Sequence, residues 1–125
     1  MTKLFIVEDH AFFRKMLITL LDRESDFTIC GEAGSGEEAL KLLTTVAPDL
    51  LLVDISMPGM DGFTLLEKVK SRWPQLPCVI LSGHVASVYG GQAQAVNALA
   101  YIDKARTREI VPRIRQVLAE ITGSL

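Results

Sequence analysis

The chain has 125 residues, of which 49% are hydrophobic and 22% charged, and its formal net charge is −2. These values are typical of one globular domain with a buried core, and they exclude a disordered chain. The small negative charge gives no general attraction to nucleic acid or to an anionic membrane, and no apolar run approaches the length of a membrane span. We therefore expect a single cytoplasmic domain over residues 1–125, with no direct binding of nucleic acid or membrane by these residues.

Five strand-like segments alternate with five helix-like segments. The strands are short apolar runs, and the helices carry apolar residues three and four positions apart. In chain order, the predicted elements are a strand at residues 3–8, a helix at about 11–23, a strand at 27–31, a helix at about 36–47, a strand at 50–54, a helix at about 63–72, a strand at 77–82, a helix at 85–96, a strand at 98–102 and a helix at about 108–122. Strict alternation favours an α/β fold with right-handed crossovers and helices on both faces of a parallel sheet.

Capping patterns predict where the second and last helices begin and end. Ser35 followed by Glu38 forms a capping-box pattern at the start of the second helix, and we expect Pro48 to end it. Thr107 can cap the last helix, but Pro112 would then remove a backbone hydrogen bond beyond its first turn. The last helix must therefore begin later than Thr107 or bend near its start.

Two other patterns concern stability and redox state. The adjacent glycines Gly90 and Gly91 predict that the helix over residues 85–96 is short, bent or mobile, because each glycine costs about 1 kcal/mol relative to alanine in a helix interior. Cys30 and Cys78 lie in apolar segments without metal-ligand spacing, so we expect buried free thiols.

The strand at residues 50–54 organises the chain. Its apolar residues do not alternate with polar ones, which is typical of a strand buried on both faces at the centre of a parallel sheet. Asp54 ends this strand, at the edge of the sheet where open α/β folds bind their ligands. Pro58, Gly59 and Gly62 then turn the chain before the next helix.

Polar side chains also follow three other strands. Glu8 and Asp9 follow the first strand, Ser82 ends the fourth, and Lys104 follows the fifth. Three carboxylates at one edge repel one another unless a hard cation lies between them, and carboxylate oxygens suit Mg²⁺. Asp54 could then act as a nucleophile for a phosphoryl group, while Lys104 and the Ser82 hydroxyl hold the transferred oxygens.

These residues identify a family resemblance. The acidic pair, Asp54 before the sequence Met57-Pro-Gly-Met-Asp-Gly62, Ser82-Gly83, and Tyr101 three residues before Lys104 are together similar to the receiver domain of two-component response regulators. The resemblance extends over nearly the whole chain. It implies the flavodoxin-like (βα)5 fold of CheY-like proteins, a doubly wound sheet of five parallel strands in the order 2-1-3-4-5.

The resemblance also implies roles for particular residues. Asp54 would be the phosphoacceptor, and the ligands of Mg²⁺ or Mn²⁺ would be the side chains of Glu8, Asp9 and Asp54 and the backbone carbonyl of Ser56. Lys104 would pair with the phosphoryl group. Ser82 and Tyr101 would form the switch, and Ser56 and His84 would border the phosphoryl site.

The resemblance further implies the partners. A sensor histidine kinase or phosphotransfer protein would supply the phosphoryl group. The face formed by the helix over residues 85–96, the fifth strand and the last helix would change its affinity for a partner, or form a homodimer. The motifs are similar to receivers that precede LuxR-type or NarL-type DNA-binding domains, and a freestanding receiver is the alternative.

Two other functions are open from the residues alone. An aspartyl-nucleophile phosphatase usually has a second acid two residues after the first, whereas position 56 is Ser56. A flavodoxin-like cofactor binder would need a phosphate-binding loop after the first strand, where the chain has Glu8 and Asp9. We therefore expect a phosphoacceptor rather than an enzyme that turns over an external substrate.

The remaining charged residues favour structural roles. We expect His10 to start the first helix rather than to bind a metal. The arginines near the last helix favour a solvated polar face, or part of the output surface, over a nucleic-acid site. They are Arg106, Arg108, Arg113 and Arg115.

Overall fold

The structure is a computed structural model that describes residues 1–83 and 99–122. In chain order its elements are β1 (Thr2–Val7), α1 (Ala11–Asp22), β2 (Phe27–Ala33), α2 (Gly36–Leu43), β3 (Leu50–Asp54), α3 (Gly62–Arg72), β4 (Cys78–Ser82), β5 (Ala100–Asp103) and α4 (Thr107–Thr122). The helix predicted over residues 85–96, with Gly90 and Gly91, lies outside the described residues. The helix α4 therefore corresponds to the last helix of the sequence prediction.

The strands form one parallel sheet in the order β2-β1-β3-β4-β5. This order confirms the doubly wound, flavodoxin-like fold and places β3 at the centre. Each strand begins and ends within two residues of its predicted position. Because the strands are parallel, their carboxyl ends meet at one edge of the sheet.

The sheet separates two hydrophobic cores. Leu51 and Val53 of β3 belong to the core beneath α2 and α3, whereas Leu50 and Leu52 belong to the core beneath α1 and α4. All four side chains are fully buried. The uninterrupted apolar run of β3 is therefore explained by burial on both faces, and the prediction of helices on both faces is confirmed.

Local hydrogen bonds start the first two helices. His10 precedes α1, and its Nδ1 accepts a hydrogen bond from the backbone N–H of Phe13 at 3.2 Å, which confirms that His10 starts this helix. The hydroxyl of Ser35 accepts a hydrogen bond from the Glu38 N–H at 3.2 Å, as predicted. The Glu38 carboxylate accepts from the Gly34 N–H rather than from that of Ser35, so the capping box is incomplete.

The prediction that Pro48 ends the second helix is wrong. The helix α2 ends at Leu43, because the hydroxyls of Thr44 and Thr45 donate to carbonyls of the preceding turn at 2.7 and 3.1 Å. The same carbonyls, of Lys41 and Leu42, also accept backbone N–H groups of residues 44–46, so the helix closes in a hydrogen-bonded turn before Pro48 is reached.

The last helix also begins differently from the prediction. Thr107 is the first residue of α4 rather than its cap, and Pro112 lies inside the helix, so a later start is wrong. Asp103 makes the preceding turn: its carboxylate accepts from the Ala105 N–H at 2.8 Å, and its carbonyl accepts from the Arg106 N–H at 3.1 Å. This turn brings the chain into α4 at residue 107.

Ile121, near the end of α4, is 42% exposed, although its spacing from Ile114 and Val117 predicts a buried side chain. The helix has 16 residues and is about 24 Å long. The neighbouring strand β4 has five residues and spans about 17 Å. The last turn of α4 therefore extends past the sheet, while Ile110, Ile114 and Val117 remain buried.

The far edge of the sheet, where strands begin, carries the single tryptophan, Trp73. It follows α3, which ends at Arg72 as predicted, and it packs against the core beneath α2 and α3. The guanidinium carbon of Arg72 lies 4.6 Å from the centre of the indole ring.

Both cysteines are free thiols, as predicted, although Cys30 is only half-buried. Burial raises the pKa of the Cys78 thiol to about 11, so this thiol stays protonated at neutral pH. Among the helices of the described residues, none has the length and apolar character needed to cross a membrane.

Candidate functional site

Asp54 lies at the carboxyl end of the central strand, and only 2% of its surface is exposed. Its Oδ1 accepts a hydrogen bond from the backbone N–H of Ser56 at 3.1 Å. This bond turns the chain out of β3 and holds the carboxylate at the edge of the sheet.

Two further carboxylates follow β1, which pairs with β3. Glu8 is fully buried and Asp9 is half-buried. Each offers an oxygen atom, and with one from Asp54 these oxygens all lie within 4.8 Å of one another. Three negative charges in so small a volume repel unless a hard cation neutralises them, and an all-carboxylate oxygen donor set suits Mg²⁺ or Mn²⁺. These residues therefore fit a divalent ion.

Lys104 follows β5 and contacts the acidic residues. Its Nζ lies 2.6 Å from Glu8 Oε1 and 3.6 Å from Asp54 Oδ2. The contact with Glu8 is a close ion pair, although its angles fall outside hydrogen-bond geometry. The ammonium also lies over the ring of Phe13, 4.5 Å from its centre. In this structure the main partner of Lys104 is therefore Glu8.

The surroundings of Asp54 raise the pKa of its carboxyl group from 3.8 to about 7. Burial is the largest cause, followed by the hydrogen bond and the negative charge of Glu8. The Ser56 N–H and the Lys104 charge act in the opposite direction but have smaller effects. Without a further cation, Asp54 is thus partly protonated at neutral pH and is a weak nucleophile.

The other predicted site residues are Ser82, Tyr101, Ser56 and His84, and the structure describes the first three. Ser82 ends β4 and is buried, and its carbonyl accepts a hydrogen bond from the Lys104 N–H at 2.8 Å. Tyr101 in β5 is half-buried, packs against the core beneath α2 and α3, and has a buried hydroxyl oxygen. Ser56 is exposed. His84 lies outside the described residues.

The loop after Asp54 returns closely to the strand that it leaves. A Cβ added at Gly62, the first residue of α3, would lie 2.5 Å from the carbonyl oxygen of Asp54. The Gly62 N–H donates to the Ile55 carbonyl at 3.1 Å, and the Asp61 carboxylate caps α3 by accepting from the Thr64 N–H at 2.8 Å. Glycine is required at this position because the helix starts directly against the backbone of Asp54.

Sequence reasoning missed two side chains of α1 that contact the site. Arg14 Nη1 donates to the main-chain oxygen of Glu8 at 2.7 Å, and its Nε pairs with Glu32 at 2.9 Å. An arginine in the first turn of a helix is a detectable signal, because the helix dipole disfavours positive charge there. Phe13 offered no comparable signal, since its spacing from Met16 and Leu17 is typical of a core-facing helix residue.

Three of the four arginines near α4, namely Arg106, Arg113 and Arg115, have acidic or polar partners. Arg115 contacts Glu24 at 2.6 Å and Asp26 at 2.8 Å, and its hydrogen bond lowers the pKa of the Asp26 carboxyl group. Arg106 lies 3.5 Å from Glu109, and these side chains are exposed. These contacts are typical of a solvated polar face.

Comparison with known proteins adds independent findings. The family model described as the response regulator receiver domain matches residues 4–115. The chain is 33% identical over 104 residues to the DNA-binding transcriptional activator DevR/DosR of Mycobacterium tuberculosis, which covers 83% of this chain and 48% of that protein. It is 40% identical over 80 residues to a protein-glutamate methylesterase/protein-glutamine glutaminase of Halalkalibacterium halodurans, covering 64% of this chain and 23% of that protein. The matches span less than half the length of either relative.

A solved structure agrees with these matches. The chain resembles the signal receiver domain of NarL from Mycobacterium tuberculosis with a TM-score of 0.84 and 30% sequence identity. The alignment covers 92% of this chain and 94% of the NarL domain. The similarity therefore extends over most of the chain.

Proposed function

This chain belongs to the response regulator receiver domain family, and we propose that Asp54 is its phosphoacceptor. The observation that carries the proposal is a buried carboxylate at the end of the central strand, with two further carboxylates and an ammonium around it. No other position in the described residues combines these groups. We propose that residues 1–125 form one receiver domain of a cytoplasmic two-component system.

The proposed reaction moves one phosphoryl group. An Asp54 carboxylate oxygen attacks the phosphorus of a phosphohistidine on a sensor histidine kinase or phosphotransfer protein. A phosphorus–oxygen bond forms, the phosphorus–nitrogen bond breaks, and the imidazole nitrogen keeps the electron pair and takes a proton. Lys104, 3.6 Å from Asp54, stabilises the negative charge on the transferred oxygens.

Glu8, Asp9 and Asp54 would hold the divalent ion, with the Ser56 carbonyl as a further ligand. Bound there, Mg²⁺ or Mn²⁺ would supply charge neutralisation for the carboxylates and for the incoming phosphoryl oxygens. The protein's own part is to fix three carboxylates at one sheet edge and to exclude water from Glu8 and Asp54, both of which are buried.

Phosphorylation would act on the rest of the domain through Ser82 and Tyr101. Ser82 is buried at the end of β4, and Tyr101 lies half-buried on the neighbouring strand β5. Ser82 would move towards the phosphoryl group and Tyr101 would turn inwards, biasing a pre-existing equilibrium. The face that includes β5 and α4 would then bind a partner or a second copy.

The family's DNA-binding relatives favour a transcription-regulating output in a longer protein. DevR/DosR is named a DNA-binding transcriptional activator, and this chain matches about half of its length. The alternative is a freestanding receiver that acts by protein–protein interaction. An aspartyl phosphatase is disfavoured by Ser56, and a cofactor binder by the acids Glu8 and Asp9 where a phosphate loop would be needed.

The test is labelling by a small phosphodonor. With acetyl phosphate and Mg²⁺, the wild-type chain should gain the mass of one phosphoryl group, and Asp54→Asn should gain none. A matched control is Asp49→Asn. Asp49 is an exposed aspartate that immediately precedes β3, at the opposite end of this strand from Asp54. Labelling that persists in Asp54→Asn, or that is lost equally in Asp49→Asn, would contradict the assignment.

A further inference from the structure

The Lys104 ammonium has two kinds of partner. On one side are the carboxylates of Glu8 and Asp54, at 2.6 and 3.6 Å. On the other is the face of the Phe13 ring, whose centre is 4.5 Å from Nζ. The Lys104 side chain is only 19% exposed, so its attraction to the ring is weakly screened by water. The ammonium is therefore held between charged and uncharged partners.

These partners respond differently when the acidic site is filled. The carboxylates lose most of their attraction for the ammonium once their charge is taken up by a divalent ion, and the ion itself repels Lys104. The ring face carries no net charge and attracts the ammonium through its quadrupole. Phe13 is thus the contact that Lys104 can keep in both states of the site.

We infer that Phe13 is a positioning residue for Lys104: its ring keeps the ammonium beside Asp54 when the divalent ion and the phosphoryl group enter the site. This inference rests on the proposed function and adds a residue that acts through the lysine. Phe13 precedes Arg14 in the first turn of α1, so the start of one helix contacts both Lys104 and the backbone of Glu8.

A purely structural role is the competing explanation, because Phe13 is half-buried and packs against the core beneath α1 and α4. The two roles differ in what they require of the ring. Core packing depends on the volume of the side chain, whereas attraction to a cation depends on the electron density of the ring face. Fluorinated phenylalanines change the second property far more than the first.

The experiment measures the rate of phosphorylation by acetyl phosphate at saturating Mg²⁺. Phe13→Leu should lower the rate about fivefold, which corresponds to roughly 1 kcal/mol in the barrier. A series with one, two and three ring fluorines at position 13 should lower it stepwise, while the midpoint of urea unfolding changes little. Phe12→Leu is the matched control, because the neighbouring Phe12 is 80% exposed, and its rate should equal that of the wild type.

A second readout tests dependence on the lysine without using the reaction. Affinity for the phosphoryl analogue beryllofluoride at saturating Mg²⁺, measured by calorimetry, should fall in Phe13→Leu, because the ion repels an ammonium that no ring then holds beside Asp54. In a Lys104→Ala background the same substitution should leave beryllofluoride affinity unchanged within about twofold. A structural role for Phe13 would instead weaken binding equally in both backgrounds.

Each outcome decides between the proposals. A graded fluorine effect together with loss of the Phe13 effect in Lys104→Ala supports the inference. If the wild-type chain is labelled and Phe13→Leu is labelled at the same rate, the inference is overturned and the proposed function stands. The same holds if Phe13→Leu has an equal effect with Lys104 and with Lys104→Ala. A wild-type chain that is not labelled at all contradicts the proposed function, and the inference is overturned with it.

Discussion

Asp54 is surrounded by groups that act on its charge in opposite directions. Burial and the Glu8 carboxyl disfavour the carboxylate, whereas the Ser56 N–H and Lys104 favour it, and the balance raises its pKa to about 7. A side chain so close to neutrality at physiological pH responds strongly to an added cation. We therefore expect the reactivity proposed for Asp54 to depend on whether the acidic site holds a cation.

This pKa predicts how stability depends on pH. In the unfolded chain the Asp54 carboxyl group titrates near 3.8, and in the folded chain near 7. Between these values the folded chain keeps a proton that the unfolded chain has released, so this group lowers stability as the pH rises from about 4 to about 7. The amide introduced by Asp54→Asn does not titrate in this range. In the absence of divalent ions, we expect Asp54→Asn to be more stable than the wild type by about 4 kcal/mol at pH 8 and by less than about 1 kcal/mol at pH 4.

Urea unfolding followed by circular dichroism in EDTA, at several pH values, measures this difference. Asp49→Asn is the control, because Asp49 is exposed. A stability difference between Asp54→Asn and the wild type that is the same at every pH would contradict the assignment of the raised pKa.

Two helices in the described part of the chain begin with a glycine, and the start of α3 is the more tightly constrained of the two. Gly62 and Gly36 begin α3 and α2, and an added Cβ would approach another atom to 2.5 and 2.7 Å respectively. The two neighbours differ in kind. At Gly62 the obstacle is the backbone of Asp54, whereas at Gly36 it is the flexible side chain of Met60.

We therefore predict different costs for the same substitution. Gly62→Ala should lower the free energy of unfolding by about 2–3 kcal/mol and slow labelling of Asp54, because the strand end must shift. Gly36→Ala should cost less than about 1 kcal/mol, because Met60 can change rotamer. Equal costs in chemical denaturation would show that α3 does not start against the backbone of Asp54.

The elements illustrate what could be predicted from the sequence. The strands were predictable because apolar runs buried on both faces leave a clear pattern, and the convergence of Glu8, Asp9, Asp54 and Lys104 follows from parallel strands ending at one edge. The end of α2 was not predictable, because Thr44 hydrogen-bonds its own preceding turn.

The contact between Phe13 and Lys104 could not be predicted from the sequence either. Apolar spacing shows that a side chain faces the core but not what lies over its ring, because that partner comes from a distant part of the chain. Ile121 is a second example of a position that apolar spacing alone does not settle. Its spacing places it on the buried face of α4, and only the lengths of α4 and the sheet show that it extends past the core.

The divalent ion should also stabilise the whole molecule. Its proposed ligands follow two strands that meet only in the folded chain, so a bound ion would shift the folding equilibrium by mass action. At about ten times the dissociation constant, the gain is about 1.4 kcal/mol, which corresponds to roughly 5 °C in the melting temperature of a domain of this size.

We expect Mg²⁺ to raise the melting temperature of the wild type, measured by circular dichroism at constant ionic strength, and to leave that of Asp9→Asn almost unchanged. Asp49→Asn, which alters an aspartate outside the acidic cluster, should keep the full increase. An equal increase in Asp9→Asn would mean that the ion binds elsewhere.

Trp73, at the edge of the sheet where β4 begins, can serve as an optical probe of unfolding that does not sense the acidic site. The indole and the Asp54 carboxylate are separated by about one strand length, roughly 17 Å, and the ring is already in contact with the Arg72 guanidinium. Neither an incoming ion nor a new acyl phosphate touches it. Its emission should therefore report melting of the fold, so folding and site occupancy can be recorded as separate signals from one sample.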